Sequence, residues 1–395
     1  MTSQQTGRYQ HYLLVTLAFV LTATVIAANQ FKVPTIMNDV AAAFNMSESQ
    51  APWLMSIFTM VGIFLAIPAG GLAQKFGPKA LVVTAAIFIG AGSLVGAFSS
   101  SASMLIISRG IEGIGFIFAT VCGPLAIARY VEPSKVGFAT GIWATWVSLG
   151  QISAFNITPV MFGSMSISNI WVVYGIAAIV MAVILQFIVK GNYGNVASSS
   201  GPKVNFSAIF GKRNLILLCL AFVTFNFVFM GGLTFAPAYL ENSGMMTKSA
   251  AAFAVSIPMI LSLFSSPIFG KLSDMMGGGH KKLLLLGLIV LGPSIALLFS
   301  TSTTLVYLGG VLFGAIGMGV PAMILGSVGE VAENPELMGP AMGLMMTCQN
   351  LGMFLGTSTF MPLVNLVGGN FTTAGLLLIP IALIGVLFTV MAKFK

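Results

Sequence analysis

Apolar runs of about 20 residues recur along nearly the whole of this 395-residue chain, and each is long enough to cross a hydrocarbon layer of about 30 Å. No stretch between them is long enough for a soluble domain. Inside a bilayer every backbone N–H and C=O must find a partner, which leaves helices or closed barrels, and runs of this length are helices. Only 7% of the residues are charged, against about 25% in ordinary soluble domains. The first ten residues are polar, and the run after them is too long for a signal-peptide core and has no small-residue cleavage site, so no cleavable signal is expected.

The reading is an all-α membrane protein with twelve transmembrane helices in two six-helix repeats. The expected segments are Tyr12–Met37, Pro52–Gly71, Ala80–Phe98, Met104–Ala128, Gly137–Phe162 and Ile170–Val189, then Asn214–Leu240, Ser249–Phe269, Lys282–Phe299, Thr303–Val328, Gly339–Val364 and Phe371–Ala392. Between the sixth and seventh the composition turns to Gly, Ser, Asn and Lys, as in a linker. The expected division is a bundle over 1–190, a linker over 191–213 and a second bundle over 214–395.

Twelve crossings put both termini on one side. Arg8, Lys75, Lys79, Arg129, Lys135, Lys190, Lys203, Lys212, Arg213, Lys271, Lys281, Lys282, Lys393 and Lys395 then share that side, 14 of the 17 basic residues. The positive-inside rule makes it cytoplasmic. The net charge of +8 is thereby a topology signal and calls for no nucleic-acid partner. Cys122, Cys219 and Cys348 all fall in apolar runs without CxxC spacing, and they read as packing residues with no redox or metal role.

Inside the fourth segment stands Ser108-Arg109-Gly110-Ile111-Glu112-Gly113-Ile114-Gly115. An arginine or a glutamate at membrane depth costs roughly 2.5–3.5 kcal/mol on insertion scales and usually faces a bundle interior or a watery cavity. At i,i+3 spacing the two share a helix face. They either form a self-satisfied pair that pins one helix to its neighbour or line a binding site. The end of the first segment, Asn29-Gln30-Phe31-Lys32-Val33-Pro34, is unusually polar. Lys32 there either snorkels to the headgroups or adds a second cation at a depth comparable to Arg109.

The two halves repeat. Gly70, Leu72 and Gly77 match Gly270, Leu272 and Gly277, while Pro133, Gly137, Gly141, Leu149 and Gly150 match Pro335, Gly339, Gly343, Leu351 and Gly352. Parallel six-helix repeats with a site at their interface are a transporter architecture.

With these residues the chain resembles the major facilitator superfamily over essentially its full length. The family's loop pattern G-x-L-a-D-R-x-G-x-R/K reads here Gly70-Gly71-Leu72-Ala73-Gln74-Lys75-Phe76-Gly77-Pro78-Lys79, and the second-half copy reads Gly270-Lys271-Leu272-Ser273-Asp274. The resemblance implies that Gly70, Gln74, Lys75, Gly77, Lys79, Gly270 and Asp274 belong to a latch between the halves. Gln74 replaces the usual aspartate and loses its charge, so Asp274 is expected to carry more of that latch. Arg109-Gly110-Ile111-Glu112-Gly113-Ile114-Gly115 is similar to the family's R-x-x-q-G-x-G, where the arginine is linked to proton coupling or substrate binding. The antiporter pattern G-x-x-x-G-P is missing from the fifth segment, where the chain reads Gly141-Ile142-Trp143-Ala144-Thr145-Trp146-Val147-Ser148-Leu149-Gly150-Gln151. This absence counts against multidrug efflux and favours uptake. Within the superfamily the chain looks most like bacterial permeases grouped with cyanate and nitroimidazole carriers.

Two cations and one acid in helices that line the family's cavity favour an anionic substrate. The candidate binding residues are Asn29, Lys32, Arg109, Gln151, Asn156, Asn226, Gln349 and Asn350, with Glu112 and Arg109 as the coupling pair. Asn226, Gln349 and Asn350 would either orient a ligand or make interhelical hydrogen bonds. Trp143 and Trp146 would gate, anchor or sit in an interfacial belt. No P-loop and no HExxH motif occurs, so no enzyme, cofactor or metal is expected. The reading is a monomeric secondary transporter in a bacterial cytoplasmic membrane. It carries a small anionic solute, with protons as one coupling ion the residues allow and uniport or exchange as the others. The alternative is a multidrug/proton antiporter.

Overall fold

A computed structural model describes residues 11–191, 207–276, 280–332 and 337–394. Arg8, Lys203, Lys395, Gly277, Pro335, most of the 191–213 linker and the Asp274 side chain lie outside the described residues. Among the described residues every regular element is a helix, and ten helices are long and apolar enough to cross a membrane.

The first six segments are α1 (Tyr12–Phe31), α2 (Trp53–Phe76), α3 (Pro78–Ala97), α4 (Ala102–Tyr130), α5 in two pieces (Val136–Trp143 and Trp146–Phe162) and α6 (Ile167–Ile188). The next six are α7 (Arg213–Asn242), α8 (Lys248–Met275), α9 (His280–Leu297), α10 (Thr303–Ala315 and Val320–Gly326), α11 (Met338–Leu366) and α12 (Phe371–Met391).

Three expected helices are interrupted, each for a local reason. The first stops at Phe31, followed by a 3-10 turn Pro34–Ile36 and a short helix Met37–Ala43, because Pro34 has no N–H and cannot continue the ladder. The fifth breaks at Ala144–Thr145, where the Thr145 hydroxyl donates to the Ile142 carbonyl at 2.7 Å and competes with the backbone. The tenth yields to a 3-10 turn over Gly317–Gly319 just before Pro321, where glycine removes helix propensity and proline removes a donor.

By contacts the chain forms two compact units, Met1–Val33 with Phe64–Ser199, and Pro34–Ile63 with Ser200–Lys395. In the first unit, α4 packs on α3 through Gly92 and Gly115, and α3 packs on α6 through Gly90 and Gly175. Small residues are what allow such approach between helices in lipid. Lys79 is buried, and its Nζ donates to the Gln186 carbonyl near the end of α6 at 3.0 Å. A cation at a helix C-terminus meets the negative end of the dipole.

The second unit repeats this chemistry. Lys281 at the start of α9 donates to the carbonyls of Val390 and Ala392 at the end of α12, at 2.9 and 2.6 Å. The repeated glycines do equivalent jobs. A Cβ on Gly150 would strike the Thr24 and Ala27–Ala28 region of α1, and one on Gly352 would strike Val223 and Asn226 of α7. The same unit holds the first part of α2, where Ser56 and Thr357 share a hydrogen bond of 2.9 Å and Trp53 lies against Phe354. Lys248 there bridges Asp39 and Glu241. Around both units large apolar side chains face outward, among them Phe64, Ile107, Phe187 and Leu366, as lipid-facing helices require.

Candidate functional site

The break at the end of α1 builds the site. A helix leaves its last four carbonyls without intrahelical donors, and the residue that would serve the Gln30 carbonyl is Pro34. Arg109, two turns into α4, fills that gap. Its Nη2 donates to the Gln30 carbonyl at 2.8 Å and its Nη1 to the Asn29 carbonyl at 2.8 Å. The guanidinium thus caps α1 with both hydrogen bonds and charge.

Glu112 follows Arg109 by three residues, on the same face of α4. One carboxylate oxygen, Oε2, accepts from Arg109, and the other, Oε1, accepts from Lys32 Nζ at 2.8 Å. Lys32 has two further acceptors, Asn29 Oδ1 at 3.1 Å and Ser93 Oγ at 2.6 Å. Ser93 hands its own proton to the Trp171 carbonyl at 2.9 Å. The ammonium also stands 4.7 Å from the Trp171 ring centroid and 5.5 Å from that of Tyr174, a cation–π arrangement. Asn29 closes the ring, donating to the carbonyls of Val25 and Tyr174 at 3.0 and 3.3 Å. Lys32, Arg109 and Glu112 are all 0% exposed. Two cations share one carboxylate, which leaves a single net positive charge in an apolar helical bundle.

Glycine makes room for this. A Cβ on Gly92 would lie 2.7 Å from Glu112 Cγ, and one on Gly96 would meet the Trp171 indole and Ser108 Oγ. The structure therefore joins Asn29, Lys32, Arg109 and Glu112 into one network and adds Ser93, Trp171 and Tyr174, which the sequence reading did not single out. Lys32 does not snorkel. The signal for Ser93 was weak: a serine between two glycines in an apolar run looks like helix packing.

The remaining candidates sort by what their polar atoms do. Gln151 is buried, and among the described residues both ends of its amide lack a protein partner; the same holds for Gln30. Buried amides are normally satisfied, and these two have their polar atoms to spare. Asn156 spends its Nδ2 on the Ile152 carbonyl of its own helix. Asn226 and Asn350 do likewise with Phe222 and Met346, and both sit in helix seams, Asn226 against Gly352 and Asn350 against Gly62. Gln349 is half-buried on α11. Trp143 and Trp146 are buried, with ring centroids 5.4 Å apart, and Gly123 lies under the Trp143 ring; neither forms an interfacial belt.

Of the loop after α2, Gly77 adopts φ 88°, a backbone region natural only to glycine. Gln74 and Lys75 are exposed, with Lys75 Nζ 5.2 Å from the Phe76 ring centroid. Among the described residues, nothing lies within 4 Å of a Cβ placed on Gly70 or Gly270.

Known proteins share this architecture. Two crystal structures of a bacterial homologue of the human lysosomal transporter Spinster match it at 16% sequence identity. The inward-facing, unoccupied form gives a TM-score of 0.73 over 96% of this chain and 95% of that one, and the inward-facing, occupied form gives 0.77 over 96% of each. An uncharacterised MFS-type transporter of Methanocaldococcus jannaschii is 24% identical over 79% of this chain and 81% of its own length. Monocarboxylate transporter 13 of Rattus norvegicus is 26% identical over 80% and 73%. Multidrug resistance protein MdtG of Proteus mirabilis is 28% identical over 62% of each. The sequence profile of the Major Facilitator Superfamily matches residues 15–357, so the chain belongs to that family and is an MFS-type transporter.

Proposed function

We propose that the protein is a secondary transporter that moves a small anionic solute across a bacterial cytoplasmic membrane by alternating access of its two six-helix halves, 1–190 and 214–395. The observation that carries this reading is the buried cluster in which Lys32 and Arg109 share the single carboxylate of Glu112. Its residual positive charge attracts an anion, and its shared carboxylate gives the anion something to displace. A substrate anion that takes Lys32 and Arg109 from Glu112 changes the ties between α1, α4 and α3, which links binding to a conformational change. If Glu112 takes up a proton when displaced, a monovalent anion and a proton cross together without net charge. The unpartnered amides of Gln30 and Gln151 supply hydrogen bonds to the polar body of the substrate. The likeness to a monocarboxylate transporter supports the same substrate class.

On the cytoplasmic side the loops containing Gly70, Gln74, Lys75, Gly77, Lys79, Gly270 and Asp274 serve as the latch between the halves. Gln74, uncharged, holds it less firmly than an acid would. The concentration of basic residues in these loops supports cytoplasmic termini. The likeness to MdtG favours a second reading, export of lipophilic compounds, in which the charge cluster is structural.

A thermal-shift screen of the purified protein separates the two. Small monocarboxylates, inorganic anions and lipophilic cations are compared, each with Arg109→Ala and Arg109→Lys in parallel. A ligand at about 100 times its Kd adds roughly 2.7 kcal/mol to the folded state. The proposal expects stabilisation by anions alone, lost in Arg109→Ala and weakened in Arg109→Lys. Stabilisation of all three proteins by lipophilic cations transfers the assignment to efflux.

A further inference from the structure

Two of the three cysteines meet. Helices α7 and α11 run side by side in the second unit, in a register set by glycine. Gly352 lies on Val223, where an added Cβ would be 3.0 Å from the Val223 Cα, and Gly356 lies on Phe227, where it would be 2.9 Å from the carbonyl carbon. Stepping back four residues along both helices from the Gly352–Val223 contact leads to Cys348 and Cys219. That register sets the two thiols against each other across the seam. Their environments differ: Cys219 is 2% exposed, whereas Cys348 is half-exposed. Cys122, in the other unit, is fully buried.

A pair so placed can act as a dithiol. A disulfide needs Cα atoms about 4.4–6.8 Å apart and Cβ vectors that converge, and a glycine-tight seam one turn away holds the two helix backbones close together. Accessibility orders the chemistry, because the less buried thiol meets the oxidant and the buried one resolves it.

We propose that Cys219 and Cys348 form a redox modification site that hydrogen peroxide converts to a disulfide joining α7 to α11. The Cys348 sulfur attacks one peroxide oxygen, the O–O bond breaks, and water leaves, giving Cys348 sulfenic acid. The Cys219 sulfur then attacks the Cys348 sulfur, the S–O bond breaks, and the hydroxide leaves as a second water with the Cys219 proton. Two thiols and one peroxide thus yield one disulfide and two waters, with two electrons passing from sulfur to oxygen. The bond closes a loop through most of the second half of the chain and ties the seam that carries Asn226, Gln349 and Asn350.

The test uses the full-length protein in detergent or lipid and needs no transport substrate, so its result stands apart from that of the functional proposal. The protein is treated with hydrogen peroxide, free thiols are alkylated under denaturing conditions, and peptides are mapped by mass spectrometry with and without dithiothreitol. The expected result is a dithiothreitol-sensitive peptide pair joining Cys219 to Cys348, with Cys122 still alkylated, and a higher melting temperature for the oxidised protein. Cys219→Ser is expected to leave a Cys348 sulfenic acid that a dimedone probe captures, and Cys348→Ser to leave Cys219 reduced. Recovery of Cys348 only as sulfinic acid in the unmutated protein, or reaction of Cys122 as fast as Cys348, overturns the proposal. The map of the unmutated protein decides the matter even if a variant fails to fold.

Discussion

At the scale of single residues, Glu112 holds the candidate site together. It faces Lys32 and Arg109 at once, with no exposure to solvent. Removing one member of a buried ionic group leaves uncompensated charge and costs about 3–5 kcal/mol. Glu112→Gln is therefore expected to lower stability by that order, measured by thermal or denaturant unfolding in detergent. Lys32→Met combined with Glu112→Gln is expected to cost less than the sum of the two, because the double variant removes a cation together with its partner. Strict additivity would show that Lys32 and Glu112 act independently. Gly92 belongs to the same account. A Cβ there would press on Glu112 Cγ at 2.7 Å, so Gly92→Val is expected to cost about 1–3 kcal/mol, the usual range for overpacking, and to weaken anion stabilisation as well. Loss of stability with unchanged anion response would separate Gly92 from the site.

At the scale of elements, helix ends and helix seams explain what was legible and what was not. The apolar runs and their lengths could be read directly, because a bilayer fixes both. The breaks could not. Pro34 was visible, but its consequence, an orphan Gln30 carbonyl that Arg109 fills, requires knowing that α4 lies beside α1. The pairing of Arg109 with Glu112 was legible from their spacing on one helix. The attachment of Lys32 was not, since it depends on the chain turning at Lys32–Val33 rather than running on to Met37. Asn226 and Asn350 stood out by polarity alone, and the acceptor each Nδ2 serves, a carbonyl of its own helix, was not legible. The glycine repeat carried further than expected, since Gly150 and Gly352, matched by sequence, make equivalent approaches to α1 and α7. Gly150→Val and Gly352→Val are accordingly expected to destabilise to a similar degree, about 1–3 kcal/mol each. Strongly unequal effects would argue that the two seams carry different loads.

At the scale of the whole molecule, the family fixes the kind of protein, a membrane transporter, while the cluster at the end of α1 argues for the kind of cargo. The chemistry we propose for it is a competition between the carboxylate of Glu112 and a substrate anion for the same two cations. That competition is the central claim, and it has a direct test. Anion affinity, read as the concentration dependence of thermal stabilisation by a monocarboxylate, is compared between the unmutated protein and Glu112→Gln. Competition predicts that Glu112→Gln, though less stable without ligand, binds the anion about tenfold or more tightly, a gain on the order of 1.4 kcal/mol. Equal or weaker binding by Glu112→Gln would contradict the account and return the cluster to a purely structural role.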